Sequence, residues 1–182
     1  TQTLMAHAEH DLNAGRLTLT AADALKVEGS TLHANSDMQF KARHIEVGTT
    51  ALQESGTQRN YRGDLVSGTF FGDRKGNDTQ AQVVAGSSVT TDGKLNMTAD
   101  QVTIKGSKVH GKEDSGLYSE NGLLAIEADR GSSTSTGHQS DSKLFGLIGS
   151  DRKHTTRKDQ VLVSDVSSSS NLRLASADEL RI

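Results

Sequence analysis

Hydrophobic and polar residues alternate with a period of two in several short segments of this chain. The clearest of these segments is LNMTADQVTI, at positions 95–104, in which apolar residues occupy every second position on both sides of Asp100. Such alternation is typical of a β-strand with one face buried and the other in water. The segment therefore predicts two short strands separated by a kink at Asp100.

The same pattern returns at regular distances, which is typical of a repeat protein. It recurs at residues 17–27, 38–47 and 172–182, and its first half recurs at 124–128. Leu17 and Leu95 are 78 positions apart, and Leu95 and Leu172 are 77 apart. We predict one segment of a longer repeat array, with units at about 16–93 and 94–171 and a partial third unit at 172–182.

Each unit contains a segment that interrupts the alternation. These excursions cover about residues 49–82 and 129–160 and are rich in polar and charged residues. Asp73-Arg74-Lys75 and Asp151-Arg152-Lys153 lie 78 positions apart, so the excursions correspond to each other. We expect two lateral β-hairpins or loops that leave the same flank of the stack.

Because equivalent positions recur in register, the pattern favours a parallel β-helix over a β-sandwich. At ~4.8 Å per rung, about six rungs would form a rod ~29 Å tall. Residues 112–121 are interpreted as a loose turn, with the fourth rung opening at Gly122. The expected inward ladders are Leu17/Met38/Leu95/Leu124/Leu172, Leu19/Phe40/Met97/Ile126/Leu174, Ala21/Ala42/Ala99/Ala128/Ser176 and Val27/Val47/Ile104/Ile182. Ser176 fits an alanine position if its hydroxyl finds a backbone partner.

Composition agrees with a stack of thin rungs. The 182 residues are 32% hydrophobic but only 3% aromatic, with no Trp, Pro or Cys. Without cysteine there are no disulfides and no thiolate metal sites. A formal charge of −3 with interspersed signs argues against general binding of nucleic acid. The first residues show no signal-peptide core, so a secreted protein would contain this chain as an internal segment.

The alternation and the excursions together resemble the haemagglutinin repeats of filamentous-haemagglutinin-like exoproteins, which include CdiA-type effectors of contact-dependent growth inhibition. The segment at 124–153 is similar to the family's strand, Ser-rich stretch and short apolar-glycine piece, and the segment at 83–109 to its return into the helix. The resemblance implies a right-handed β-helix and export by two-partner secretion. It also implies a virulence role at the cell surface, as an adhesin stalk or a toxin-delivery filament.

Two groups of residues in the excursions are candidates for binding. Arg62-Gly63-Asp64 forms an RGD tripeptide that an exposed loop could present to a cell receptor, although a Gly-centred turn between charges is also ordinary. A possible basic flank could bind sulfated glycans or acidic lipid head groups, although the same residues suit a solvated turn. It comprises Arg74, Lys75, Arg152, Lys153, Arg157 and Lys158.

Catalytic and metal sites are not expected, and neither is a cofactor. His33 and His110 occupy equivalent positions two rungs apart, ~10 Å, which suits a surface ladder better than a metal site. The recurring acidic residues lie beside the corner alanines, where Asp favours a turn. A β-helical polysaccharide-processing enzyme remains the alternative from another class, since such enzymes use stacked carboxylates.

These observations favour a structural and binding segment of a large secreted bacterial surface protein, without enzymatic activity. The expected partners are a receptor or glycan on a host cell or neighbouring bacterium, and the outer-membrane two-partner-secretion transporter for the parent protein. Open end rungs could also allow end-to-end self-association of the fragment.

Overall fold

The computed structural model describes residues 3–6, 11–66, 69–143 and 148–182. All regular elements among these residues are β-strands, and none is a helix. The chain divides into two compact units. Unit 1 comprises Thr1–Ala51, Val84–Arg130 and Val161–Ile182, and unit 2 comprises Leu52–Val83 and Gly131–Gln160.

Unit 1 contains three parallel sheets, which the chain visits in the repeating order I, II, III. Sheet I contains β3 (Leu17–Thr20), β6 (Met38–Lys41), β10 (Leu95–Ala99), β13 (Ser115–Ser119) and β18 (Leu172–Ser176). Sheet II contains β1 (Thr3–Ala6), β4 (Ala24–Glu28), the start of β7 (His44–Val66), β11 (Gln101–Lys105), β14 (Leu124–Glu127) and β19 (Leu180–Arg181). Sheet III contains β2 (Asp11–Ala14), β5 (Thr31–Ala34), β9 (Ser88–Thr91), β12 (Lys108–Gly111) and β17 (Asp165–Ser168).

One pass of the chain through the three sheets forms a rung, and strands of successive rungs pair in parallel. Leu17 pairs with Met38 and Met38 with Leu95, so equivalent positions stack on one another. Residues 95–104 form β10 and β11, with apolar side chains buried at alternate positions in both strands. The prediction of two short strands is confirmed, and the parallel arrangement is consistent with a β-solenoid.

The core of unit 1 consists of aliphatic ladders and a single buried phenylalanine, Phe40. Val27, Val47 and Ile104 form one of the predicted ladders in sheet II. The largest fully buried side chains are Phe40, Leu25, Met38, Ile45, Leu95, Met97, Ile104, Leu117, Leu124, Val27, Val47 and Val89. Thin rungs bring few side chains together per layer, so small and branched residues suffice to fill the interior.

The predicted opening of the fourth rung was wrong. Residues Ser115–Ser119, which were interpreted as part of a loose turn, form β13 and pair with β10 and β18. Leu117 therefore stacks on Met97, whereas Leu124 stacks on Val102 in sheet II. The strand was missed because Gly116, Tyr118 and its Ser residues disrupt the apolar alternation from which strands were identified.

The same shift changes the two predicted ladders that contain Ala99 and Ile104. Ser119, rather than Ala128, lies between Ala99 and Ser176. Its hydroxyl donates to the Asp100 carbonyl at 2.7 Å, and the Ser176 hydroxyl donates to the Gly122 carbonyl at 2.6 Å. The expectation that Ser176 finds a backbone partner is confirmed. Ile126, which was expected in the ladder of Met97, stacks on Ile104 instead. Leu172 and Ile182 were expected to point inward, but they are 37% and 82% exposed in the last rung.

A ladder of four serines closes the corner between sheets II and III. Ser30, Ser87, Ser107 and Ser164 each lie just before a sheet III strand, and the first three are buried. The backbone N–H of Ser30 donates to the Ser87 hydroxyl at 3.4 Å, and that of Ser87 donates to the Ser107 hydroxyl at 3.1 Å. Each serine thus donates or accepts a hydrogen bond between successive rungs, in addition to the hydrogen bonds of the paired strands.

Ser87 and Ser164 follow the excursions, and their hydroxyls contact the backbone where the chain leaves the rung. The Ser87 hydroxyl lies 2.6 Å from the Gly48 carbonyl and 3.0 Å from that of Val27. The Ser164 hydroxyl lies 2.5 Å from the Glu127 carbonyl. Gly48 and Glu127 are near the points at which the chain leaves the rung, so the hydroxyl connects the departing strand to the returning one. In rungs without an excursion, Gly29 and Gly106 turn this corner with a φ of 55°.

Unit 2 is an antiparallel sheet made from the two excursions. Strands β7 and β8 (Thr69–Gly86) form the first hairpin, and β15 (Asp129–Lys143) and β16 (Ile148–Leu162) form the second. Strands β8 and β15 pair from Ser132↔Gln82 to Ser142↔Gly72. The strand order is β7-β8-β15-β16. The two excursions therefore pair directly with each other.

Replacement of Met97 by Asp should unfold unit 1. A buried methionine stabilises the fold by ~1.5–3 kcal/mol, and an unpaired carboxylate in its place adds a larger desolvation cost. Circular dichroism and thermal melting check this result, with Thr98→Asp on the outer side of the same strand as the control. A wild-type β spectrum and Tm for Met97→Asp would contradict the inward assignment.

Removal of the Ser87 hydroxyl should lower the free energy of unfolding by about 1–3 kcal/mol, because buried backbone groups lose their partner. Chemical denaturation of Ser87→Ala measures this loss. Ser88→Ala is the matched control, because Ser88 is the next residue and its side chain lies on the outer side of β9. Equal midpoints for both variants would show that the serine ladder contributes nothing beyond strand pairing.

Candidate functional site: a polar groove on sheet I

The outer face of sheet I carries two adjoining depressions of about 280 and 200 Å³. Both are lined by Lys94 and Asn96, so they form one elongated groove across the strands. The first is further lined by Asp114, Ser115, Tyr118, Asn171 and Arg173, and the second by Arg16, Thr18, Asp37, Met38 and Gln39. All of these residues belong to unit 1.

The edge of the groove is a row of alternating charges. One residue precedes each strand of sheet I, and in stacking order these are Arg16, Asp37, Lys94, Asp114 and Asn171. The Arg16 guanidinium lies 3.2 Å from the Asp37 carboxylate, which also accepts the backbone N–H of Lys94 at 3.1 Å. Like charges stacked one rung apart would repel, so the alternation lets charged side chains occupy successive rungs.

The floor of the groove contains an aromatic ring that lies across a glycine. Asn96, Gly116 and Arg173 are neighbours in register on β10, β13 and β18. The Tyr118 ring lies over Gly116, and a Cβ atom at Gly116 would overlap Cε2, Cζ and the hydroxyl of that ring. Glycine at this position is therefore what allows the ring to lie along the sheet, half-exposed, rather than stand away from it.

Asp114 is held by hydrogen bonds from the turn of the next rung. Its Oδ1 accepts the Ser170 hydroxyl at 2.6 Å, the backbone N–H of Asn171 at 3.2 Å and the side-chain amide of Asn171 at 3.0 Å. These bonds, together with the positive charge of Lys94, hold the pKa of Asp114 below its usual value. Asp114 is therefore an ionised acceptor at neutral pH, and a poor general acid.

Two cations in the groove keep their donors free for a ligand. Neither Lys94 nor Arg173 forms a salt bridge with another residue in the described ranges, and both side chains are exposed. By contrast, Arg16 is paired with Asp37. The groove thus offers an ammonium, a guanidinium, a side-chain amide and an aromatic ring, an arrangement suited to binding a polar ligand rather than to transforming it.

The predicted binding residues of the excursions lie in unit 2. Arg62, Gly63 and Asp64 are part of β7, and the backbones of Arg74 and Lys75 in β8 face Ser140 and Gln139 in β15. In β16 the exposed cations Arg152 and Lys158 have even residue numbers, and Lys153 and Arg157 have odd ones. Successive side chains of a strand point to opposite faces, so these four cations are divided between two faces.

The two histidines of sheet III lie in the polar ladder that was expected. Thr90 lies between His33 and His110 in register. His33 Nδ1 is 3.0 Å from the Thr90 hydroxyl, and His110 Nδ1 is 3.0 Å from that of Ser167. Across the part of the chain that the structure describes, no group of three or more His, Cys, Asp or Glu side chains could hold a metal ion.

Sequence reasoning missed the groove because it missed β13. Without that strand, Gly116 and Tyr118 had no place beside Asn96 and Arg173. The alternating charges before the sheet I strands were a usable signal, since Arg16, Asp37 and Lys94 precede segments that were recognised as strands. The Tyr118 ring over Gly116 had no such signal, because its orientation depends on the neighbouring backbone.

Comparison with known proteins yields one informative similarity. No protein-family model matches the chain, and no solved structure matches it significantly. The chain is 28% identical over 166 residues to a protein named Hemolysin from Serratia marcescens. The aligned region covers 89% of this chain but only 10% of that protein, so the chain spans about a tenth of its relative's length. Among the described residues, no helix is long and apolar enough to span a membrane.

The turn at Ser170 and Asn171 should loosen in acid. The pKa of Asp114 is lowered in the folded state, so its contribution is complete above the unfolded value of about 3.9 and is lost as the pH falls through the lower folded value. NMR titration of the Ser170 and Asn171 amides measures this transition. Asp114→Asn should abolish it, whereas Glu113→Gln should preserve it. An unchanged titration in Asp114→Asn would assign the transition to another group.

Proposed function

We propose that this chain is a structural and binding segment of a large secreted bacterial exoprotein of the two-partner secretion type. The observation that carries the proposal is the similarity to Hemolysin, which extends over 89% of this chain and only 10% of that protein. A segment that repeats in register along a much longer protein is suited to a rod that is extended by adding rungs.

The finer architecture follows from the same proposal. The chain forms a right-handed coil of about six rungs, and its units belong to the haemagglutinin-repeat type. Sequential parallel pairing lets such a rod grow without new long-range contacts, because each rung contacts only its neighbours. Export in an extended form through an outer-membrane transporter suits a fold that can assemble rung by rung at the cell surface.

We assign recognition to the surfaces that the stacking leaves available. The groove on sheet I presents Lys94 and Arg173, which have no salt-bridge partner among the described residues, and the four-stranded sheet of unit 2 presents the cations of β16. The target is a receptor or glycan on a host cell or on a neighbouring bacterium. In the first case the parent protein is an adhesin, and in the second it is a filament that delivers a toxin.

The electrostatics of the groove favour binding over catalysis. A polysaccharide-processing enzyme needs a carboxylic acid with a raised pKa close to a second carboxylate. In the groove, Asp37 is paired with Arg16, and the pKa of Asp114 is lowered. Lys94 lies between these two carboxylates in the stacking order, which does not resemble a catalytic pair.

Binding of the labelled chain to epithelial cells and to Gram-negative bacteria tests the proposal. A second version carries short turns in place of residues 52–83 and 131–160, and its circular dichroism spectrum must show that the parallel sheets still fold. We expect saturable binding of the full chain to one of the two cell types, which names the target class.

The two versions separate the candidate surfaces. If binding is lost when unit 2 is removed, the target is recognised by the hairpins; if it persists, recognition lies in unit 1. Failure of the full chain to bind either cell type would contradict a recognition role and leave this segment as a spacer.

A further inference from the structure

We propose that the groove on sheet I binds an extended oligosaccharide that carries carboxylate groups on alternate sugar residues, as in a chain of uronic acid and neutral sugar. The inference deepens the proposed function, on which it rests, by naming a ligand class and the residues that select it. It is argued from unit 1 alone.

The shape of the groove requires an elongated ligand. Its two parts share Lys94 and Asn96 and extend over all five strands of sheet I, from Arg16 before β3 to Arg173 in β18. Four strand spacings of ~4.8 Å give a length of ~19 Å. One strand spacing is comparable to the rise of a single sugar in an extended polysaccharide, so each rung can meet one sugar residue.

The lining favours a saccharide over a peptide or a lipid. Apart from Met38 and the Tyr118 ring, the groove is lined by polar and charged side chains, which offer little to an acyl chain or an apolar peptide. The three inner strands of its floor, β6, β10 and β13, already pair on both sides, so a peptide lying in the groove could not add to the sheet there as a further strand. Sugar hydroxyls both donate and accept hydrogen bonds, and therefore suit a mixture of carboxylate, amide and cationic groups.

The distance between Lys94 and Arg173 sets the spacing of the negative charges that a ligand of the groove should carry. Lys94 immediately precedes β10 and Arg173 lies in β18, and β13 separates these strands. Their backbones are therefore at least ~10 Å apart, which is two strand spacings. Carboxylates on every second sugar repeat at a comparable distance. Arg173 can bind such a carboxylate through two parallel N–H groups, and Lys94 can bind the next one through its ammonium.

The carboxylates of the groove select against continuous polyanions. Asp37 and Asp114 flank Lys94 in the stacking order; Asp37 accepts hydrogen bonds from Arg16 and from the backbone N–H of Lys94, and Asp114 accepts one from the Ser170 hydroxyl. They would repel an anion placed at their own rungs, while they can accept hydrogen bonds from neutral sugar hydroxyls. The alternation of charge along the groove thus matches an alternation of charge along the ligand.

Tyr118 supplies a stacking surface in the same groove. Its ring lies over Gly116, between the strands that carry Asn96 and Arg173. We assign to this partly exposed ring the surface on which the C–H face of a pyranose stacks. Gly116 is then a positioning residue, since a methyl group at that place would displace the ring without changing its chemistry.

Isothermal titration calorimetry of the full chain tests the inference with three soluble probes. A hyaluronan hexasaccharide has a carboxylate on every second sugar, chitohexaose is its neutral counterpart, and sialyllactose has one terminal carboxylate. We expect binding of hyaluronan hexasaccharide that weakens as salt is added, with much weaker binding of the other two. Equal affinity for chitohexaose would overturn the assignment of the cations. Preference for sialyllactose would overturn the extended, alternating ligand.

Substitutions locate the binding on the groove. Arg173→Gln, Lys94→Gln and Tyr118→Ala should each weaken binding of hyaluronan hexasaccharide about tenfold, because each loses a charge-assisted bond or a stacking surface. Gly116→Ala should weaken it by displacing the Tyr118 ring, although the variant removes no side chain of the ligand site. Lys108→Gln is the matched control, since it removes the same charge from the exposed face of sheet III.

The outcomes separate this inference from the proposed function. If no saccharide binds, or if Lys108→Gln weakens binding as much as Arg173→Gln, the inference is overturned. Cell binding by the same preparation would still support a recognition role through another surface. Circular dichroism of every variant must match that of the full chain, and Arg173→Gln and Lys94→Gln serve as the deciding pair because both side chains are exposed.

Discussion

The hydroxyls of the serine ladder close the corners at which the two excursions leave and re-enter the rungs. A coil of parallel strands tolerates an inserted hairpin only if the chain leaves and returns at one height in the stack. Ser87 meets this requirement, because its hydroxyl contacts the carbonyl of Gly48, where the first excursion departs. Ser164 does the same at Glu127 for the second excursion. Strands of successive rungs keep their register on both sides of the first excursion, as the pairing of β4 with β7 and of β5 with β9 shows.

Register has consequences on the outer surface as well as in the core. Because residues of equivalent position stack, any charge on one rung faces the corresponding residue of the next at a single strand spacing. Sheet I meets this constraint by alternating cations and carboxylates, and sheet II pairs Lys26 with Glu46 at 2.8 Å. The proposed ligand site is a by-product of this constraint, since the alternation that avoids repulsion between rungs also produces a periodic row of charges.

Strand β13 at Ser115–Ser119, which was interpreted from the sequence as a turn, shows that a strand can form in the stack without an apolar alternation of its own. Leu117 is its one large inward side chain, and Ser115 and Ser119 occupy the inward positions on either side. Both hydroxyls donate to backbone carbonyls, so the polar atoms are satisfied within the stack. Neighbouring strands supply the remaining stability, as expected where rungs are stabilised mainly by their interfaces.

The sequence by itself determined the strand character of residues 95–104, the inward positions of Val27, Val47 and Leu95, and the correspondence in sequence between the two excursions. Each of these depends on periodicity, which the chain displays directly. The tertiary structure decided the position of β13, the shift of Leu124 to sheet II, and the ring of Tyr118 over Gly116. These depend on which strands become neighbours, and side chains far apart in sequence acquire a common groove only when the rungs have stacked.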